Sequence, residues 1–457
     1  MNKKLVYENG ELIYYEDDVP RHAGVIKYKG DIYYISSKGR AVKGRHVVHK
    51  SMANGILKHG TYKFADDYKL IKGSYIKPER IKQKKHISKS KMRLLGIVSG
   101  ILCAALLIFA VIYNHKSDVT PENAGKKGNG IEGKVKLPDF GEEILLMSEK
   151  AKSFIDGEID LREIANQKSQ YRPIVFNYDL GNQAGTLILR EKAENKVIAD
   201  YDLPSDANVI EIHNLKTGTE YSYTVRRGTE VYMGTFKTAP GPRFLSVPGI
   251  VNARDIGGVY TMDGKYVKQG CLIRGTEIDG LVVPQYFVPT SEIAHVKEYF
   301  GFRYDMDLRY PSVAGGAYTS RLGSDVGHKF YGAPQYAQIF NPSYYASLRE
   351  IFSDLARAEN YPMYLHCSWG KDRTGTIVFL IQGILNVPVE DMITEYLLSA
   401  FENPDISESM ITDSVVSMLE PYEGETVNQK IVSFLVKDVG VKEEEIEAIR
   451  EIFLEDR

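Results

Sequence analysis

From Leu94 to Tyr113 the chain reads LLGIVSGILCAALLIFAVIY, a stretch without a single charge. A helix of that length spans about 30 Å, the thickness of a bilayer's hydrocarbon core. Buried helices of globular domains rarely run so far without a polar face. The segment therefore predicts a single transmembrane helix over 94–113, with Cys103 as an apolar filler inside it. The long segment that precedes it argues against a cleaved signal peptide. On its N-terminal side stand Lys77, Arg80, Lys82, Lys84, Lys85, Lys89, Lys91 and Arg93, opposed only by Glu79; on the other side Lys116, Lys126 and Lys127 are diluted by Asp118 and Glu122. By the positive-inside rule the N-terminus is expected in the cytoplasm and the C-terminal part outside, a single-pass membrane protein.

The rest of the chain is globular in composition. With 457 residues, 43% hydrophobic and 26% charged, it is long enough for two to four domains and too apolar to be disordered. A formal charge of −2 gives no basic surface for nucleic acid. Cys103, Cys271 and Cys367 are too few for a disulfide framework and lack metal-ligand spacing, so no metal or cofactor is expected.

The expected organisation follows. Residues 1–76 are rich in Tyr and Gly and carry the near copies Gly10-Glu-Leu-Ile-Tyr-Tyr15 and Gly30-Asp-Ile-Tyr-Tyr34, with Gly60-Thr-Tyr-Lys-Phe64 as a degenerate third. Aromatic pairs next to glycine turns predict consecutive β-hairpins. These resemble the hairpin repeats of carbohydrate- and wall-binding modules, and read equally as a small β-meander with tyrosines in its core. A wall ligand would reverse the orientation and place the enzyme in the cytoplasm. Residues 77–93 are a basic juxtamembrane segment and 114–140 a linker. Within 141–243 a helical lead-in precedes short alternating runs such as Ile174–Tyr178, Thr186–Leu189, Val209–Ile212, Tyr221–Val225 and Val231–Phe236. They predict an antiparallel β-sandwich, and Leu215–Val225 resembles the turn-and-tyrosine signature of fibronectin type III modules.

From 244 to 457 strand and helix patterns alternate, predicting an α/β domain with a central sheet flanked by helices. Its sharpest element is His366-Cys-Ser-Trp-Gly-Lys-Asp-Arg-Thr-Gly375, between the apolar run Met363-Tyr-Leu365 and a long apolar helix pattern. A loop from a strand's C-terminal end into a helix N-terminus binds anions through converging N–H groups and the helix dipole. Cys367 there is a candidate nucleophile, since attack on a phosphate ester needs a thiolate and the loop lowers a thiol's pKa. Arg373, six positions on, can wrap back as a two-pronged clamp on the same phosphate. Asp372 is the nearest acid for the leaving group and the base for the later water, with Asp325 in reserve. Gly370 permits the tight wrap, Ser368 and Trp369 line it, Lys371 adds charge at the rim and Thr374 offers a hydroxyl to the sulfur. Trp369 either stacks on an aryl substrate or packs the loop. It is the chain's sole tryptophan.

This string resembles the H-C-x-x-G-K-D-R-T-G loop of bacterial tyrosine phosphatases that also look like lipid phosphatases. Asn252-Ala-Arg-Asp-Ile-Gly-Gly258 is similar to that family's N-x-R-D-x-G-G, Asp307-Leu-Arg309 to its D-L-R, and Tyr396-Leu-Leu-Ser399 to its C-terminal region. The resemblance implies Cys367 as nucleophile, Arg373 as clamp and Asp372 as acid and base, and places Arg254 and Asp255 near the pocket, either supporting the loop or as a structural ion pair. Trp369 stands where the family often has alanine, Gly275 where it often has serine, and Pro311 and Val313 follow the D-L-R. The expectation is a membrane-anchored protein-tyrosine phosphatase working through a cysteinyl-phosphate. The alternatives are a phosphoinositide or dual-specificity phosphatase, for which Lys371 would meet charged head groups, or an idle surface adhesin or phospho-binding receptor.

Overall fold

In the computed structural model the described residues are 3–8, 11–16, 19–20, 24–35, 40–41, 43–48, 56–57, 60–72, 74 and 135–456 apart from 142, 168–169 and 315–317. The N-terminal residues form successive antiparallel pairs. β1 (Lys3–Glu8) and β2 (Glu11–Glu16) pair and are extended by β3 (Val19–Pro20); β4 (Gly24–Tyr28) pairs with β5 (Asp31–Ile35), and β6 (Gly44–Val48) with β7 (Gly60–Phe64). Each repeated unit is the return strand of a hairpin. Lys29 and Gly30 both have positive φ, 49° and 96°, which suits a two-residue hairpin turn. Side chains alternate as strands require: Tyr33 joins Tyr14, Ile35 and Tyr68 in a small local core. Tyr34, with Val25, Tyr62 and Phe64, belongs instead to the large apolar cluster that continues through Ile384, Val389 and Met392.

That shared core corrects the membrane reading. One span at 94–113 would put residues 3–74 and the C-terminal domain on opposite sides of a bilayer, where they could not share a core; they lie in one unit, residues 1–77 with 135–457. Among the described residues no helix is long and apolar enough to cross a membrane. The expected span, its basic flank and most of the linker lie outside the described residues. The single-pass anchor, the membrane partner and the cytoplasmic and extracytoplasmic split are therefore withdrawn.

Next come two antiparallel sheets. β8 (Ile174–Asn177) pairs with β11 (Val209–Ile212), and β9 (Gly185–Glu191), β10 (Lys196–Leu203), β12 (Glu220–Arg227) and β13 (Glu230–Lys237) form a second sheet in the order β10-β9-β12-β13. Phe176, Leu187, Leu189, Ile212, Tyr221, Val225 and Phe236 fill one core between them. The hydroxyl of Tyr221 accepts from the Lys216 N–H at 2.9 Å and pins the turn before its own strand. These are open sheets of two and four strands, with no closed sandwich or barrel, and the fibronectin type III assignment is withdrawn with the closed sandwich. β10 was not anticipated, because its half-exposed, charge-bearing pattern follows from its place at a sheet edge.

The C-terminal domain is built on a six-stranded mixed sheet. Its strands are β14 (Arg243–Phe244), β15 (Arg254–Asp255), β17 (Leu272–Gly275), β18 (Tyr304–Asp307), β19 (Gly327–Phe330) and β20 (Met363–His366), in the order β14-β15-β17-β20-β18-β19. β16 (Tyr266–Val267) and the final β21 (Leu454–Glu455) form a separate ribbon. β17, β20, β18 and β19 run parallel, and β17 and β20 are wholly buried, as central strands covered on both faces are. The helix Asp372–Ile384 follows β20 and is buried from Thr374 to Ile384, which is why its sequence is apolar all round. It packs against the helices Val389–Leu397 and Val427–Phe434.

Candidate active site

The loop from Cys367 to Lys371 leaves the C-terminal end of β20 and enters the helix Asp372–Ile384. Gly370 makes this turn possible. Its φ is +60°, and a Cβ there would lie 2.3 Å from the Gly275 carbonyl oxygen, closer than any side chain tolerates. Cys367 is buried at the base of the loop. Burial by itself raises the pKa of its thiol. The Arg373 guanidinium, the hydroxyl and N–H of Thr374 and the N–H of Trp369 outweigh that, so the thiol is held below its ordinary value. The Thr374 hydroxyl is buried and has no nitrogen or oxygen partner among the described residues, which leaves it to the sulfur. Arg373 is half-buried, its Nη1 3.3 Å from the Leu308 carbonyl, and among the described residues no carboxylate pairs with the fork.

Asp372 opens the helix. Its Oδ1 accepts from the Tyr336 hydroxyl and lies 3.5 Å from Lys371 Nζ. Lys371 is not a charge at the rim: it is buried, and its ammonium donates to the Asp405 carbonyl at 2.7 Å. This corrects the expectation that it meets head groups. Trp369 is 42% exposed and packs edge-on against Tyr286 with ring centres 5.5 Å apart. Ser368 is buried and its carbonyl accepts from the Glu277 N–H. The reserve acid Asp325 is remote. It precedes β19, whose start pairs with the N-terminal end of β18, whereas the loop leaves the C-terminal end of the parallel β20; there it pairs with Lys297.

Two buried clusters hold the loop. At its strand end His366 places Nε2 2.9 Å from Asp305 Oδ1 and Nδ1 3.1 Å from the Cys367 carbonyl. Burial lowers the pKa of His366, but Asp307 and Asp305 overcome it and raise it to about 9, so the ring is an imidazolium that donates both ways. Arg309 joins Asp307, Glu277 and Asp279 in the same cluster, its Nη1 2.7 Å from Glu277. At the helix end Gly370 gives its carbonyl to Asn252 Nδ2, 2.9 Å, and to Arg274 Nη2. Arg274 and Arg254 share the one carboxylate of Glu395, at 2.7 Å each, and Arg254 also reaches the Ser399 hydroxyl at 3.0 Å. Burial, then the neighbouring Arg274 charge, lower the pKa of Arg254 to about 9 against the pull of Glu395.

Arg254 thus stands behind the loop, whereas Asp255 points to the opposite face, as successive strand residues do, and bonds Arg243 and the N–H groups of Gly257 and Gly270. Sequence reasoning missed Arg274, Glu395, Asp305 and Tyr336. The first was legible in principle: a lone arginine in the apolar run Cys-Leu-Ile-Arg needs a buried partner. Cys271 in that run is a filler, its pKa pushed up to about 12 by burial and Asp255. Among the described residues no group of three or more His, Cys, Asp or Glu is arranged to hold a metal ion.

Residues 245–455, somewhat less than half of the chain, match the tyrosine phosphatase family. The chain carries a Cys-based, tyrosine-phosphatase-like domain. The match spans five of the six strands of the sheet, from β15 onward, and ends on β21. It names neither a bacterial branch nor strict phosphotyrosine specificity. Among solved structures, the core catalytic domain of the PP-IP phosphatase SIW14 from S. cerevisiae, in complex with citrate, is similar at 15% identity over 38% of this chain and 82% of that one, with a TM-score of 0.22.

Proposed function

We propose that this domain hydrolyses phosphate monoesters in two steps through a cysteinyl-phosphate at Cys367, with the range of a dual-specificity or phosphoinositide phosphatase rather than phosphotyrosine alone. The observation that carries the reaction is the Cys367 thiol, held below its ordinary pKa beside Arg373 at the start of a buried helix. In the first step the thiolate attacks phosphorus, the ester P–O bond breaks, and the leaving oxygen takes a proton from Asp372. Arg373 follows the equatorial oxygens, and the loop's N–H groups with the helix dipole bear their charge. In the second step water attacks the phosphorus, Asp372 takes back a proton, and the sulfur leaves as a thiolate next to Thr374. Asn252 and Arg274 act from behind, by holding the Gly370 carbonyl, and Arg254 holds Asn252 and Glu395 in turn.

Phosphotyrosine falls within this range, because the loop itself carries the half-exposed Trp369, backed by Tyr286, as an aromatic wall. The reading is tested with purified protein on p-nitrophenyl phosphate and on a panel of phosphotyrosine, phosphoserine and phosphoinositide substrates. Cys367→Ser is expected to abolish turnover on every one of them; full residual activity in that variant ends the cysteinyl-phosphate mechanism. Turnover of phosphotyrosine peptides alone would end the broader range.

A further inference from the structure

The side-chain carboxyl of Asp372 receives all its described polar contacts on one oxygen. The Tyr336 hydroxyl and the Lys371 ammonium both address Oδ1, and Oδ2 has no hydrogen-bond partner among the described residues. Resting on the acid role given above to Asp372, we propose that Tyr336 is the positioning residue for that carboxyl: its hydroxyl grips Oδ1 and turns Oδ2 toward the ester oxygen that leaves.

Tyr336 opens a short 3-10 turn, Tyr336–Phe340, and its φ of +54° lies in the left-handed region that a bulky residue rarely enters. Strain of this kind persists where surrounding contacts over-determine it, and here there are three. The Tyr336 N–H donates to Thr376 Oγ1 at 3.0 Å, and Thr376 Oγ1 donates to the Asp372 carbonyl at 2.8 Å. The hydroxyl reaches the Asp372 carboxyl and lies 2.7 Å from the Tyr396 hydroxyl, with the two rings edge to face at 6.2 Å. One residue therefore ties both the backbone and the side chain of Asp372, through bonds that open from the same strained turn. Tyr396, in the Tyr396-Leu-Leu-Ser399 motif, braces it from behind.

Tyr336 stays a donor while this happens. Burial, then Tyr396 and Asp372, push its phenol far above the ordinary range, so its proton remains on the oxygen when Asp372 gives its own away and takes one back. Among the described residues, the charged neighbours of the pair are Lys371 and, behind Tyr396, Arg274 and Asp405.

A phenolate needs the acid's proton to leave and p-nitrophenolate needs it far less, so the comparison of the two reads the position of Oδ2. Steady-state kinetics on phenyl phosphate and p-nitrophenyl phosphate are measured for the full chain and for Asp372→Asn, Tyr336→Phe and the double variant. Tyr336→Phe is expected to lower kcat on phenyl phosphate roughly tenfold and on p-nitrophenyl phosphate only about twofold, with KM changed less than about twofold; misplacing a catalytic group costs on this order. In the Asp372→Asn background it is expected to add nothing. Tyr396→Phe, which keeps the gripping hydroxyl, is expected to give the same leaving-group pattern at about threefold, and it serves if Tyr336→Phe folds poorly. Equal losses of Tyr336→Phe on both substrates, or losses that add to those of Asp372→Asn, overturn the positioning role while the acid reading stands. Should Asp372→Asn itself lose equally on both substrates, the acid reading falls first and this proposal with it.

Discussion

Two buried charge clusters hold the Cys367–Arg373 loop from its two ends, and they carry opposite excess. At the strand end four carboxylates, Asp305, Asp307, Glu277 and Asp279, surround Arg309 and His366. At the helix end two arginines, Arg254 and Arg274, face the single carboxylate of Glu395. Burial acts in the same direction on the cationic groups in both, by disfavouring the charged form. The outcome differs with the sign of the company: His366 is raised to about 9 and Arg254 lowered to about 9. The lesson is that equal burial does not predict the charge state of a loop's supports. At the strand end the excess of carboxylates keeps a histidine charged, so that Nε2 holds Asp305 while Nδ1 locks the Cys367 carbonyl. At the helix end the excess of guanidinium leaves donors for the Gly370 carbonyl.

The largest expected effect breaks the cationic cluster. Glu395→Gln leaves two buried guanidinium groups without a carboxylate and should destabilise the domain by about 3–5 kcal/mol, read from urea unfolding. A loss below about 1 kcal/mol would mean that water or Ser399 already balances the arginines. The next prediction sharpens the anionic cluster through pH. Because the folded pKa of His366, about 9, lies above its ordinary 6.5, its contribution is fully present below pH 6.5 and is lost as pH rises through about 9. Wild type should therefore exceed His366→Gln in stability by about 3 kcal/mol more at pH 6 than at pH 10. A difference between the two proteins that does not change with pH would show a neutral histidine. The smallest effect belongs to a charge outside both clusters. Asp325→Asn, removing an exposed partner of Lys297, should leave the urea midpoint unchanged and leave kcat on phenyl phosphate unchanged. A leaving-group-dependent loss in that variant would return Asp325 to the list of acids.

Much of the site was legible because it is local. Cys367, Gly370, Asp372, Arg373 and Thr374 lie in one short string, and a strand before them and a buried helix behind were readable from hydrophobic runs. The hairpins at Tyr14, Tyr33 and Phe64 were readable from repeated glycine and aromatic pairs. The partners from elsewhere were not. Tyr336 stands 36 positions before Asp372 and Glu395 stands 141 after Arg254, and no periodicity links such distances. The burial of Lys371 was hidden for the same reason, since a charge in a string does not say which way its side chain turns, and of the two readings open for Asp255 it is the ion pair, with Arg243, that forms.

The sequence by itself determined the reactive string and the alternation that makes an α/β sheet, because turn chemistry, strand period and helix entry are encoded within a few residues. Only the tertiary structure decided that the N-terminal hairpins share a core with the phosphatase-like domain, which ended the single-span topology, and which charges back the loop. Both depend on surfaces brought together from distant parts of the chain, where burial and the sign of the neighbours set the energy.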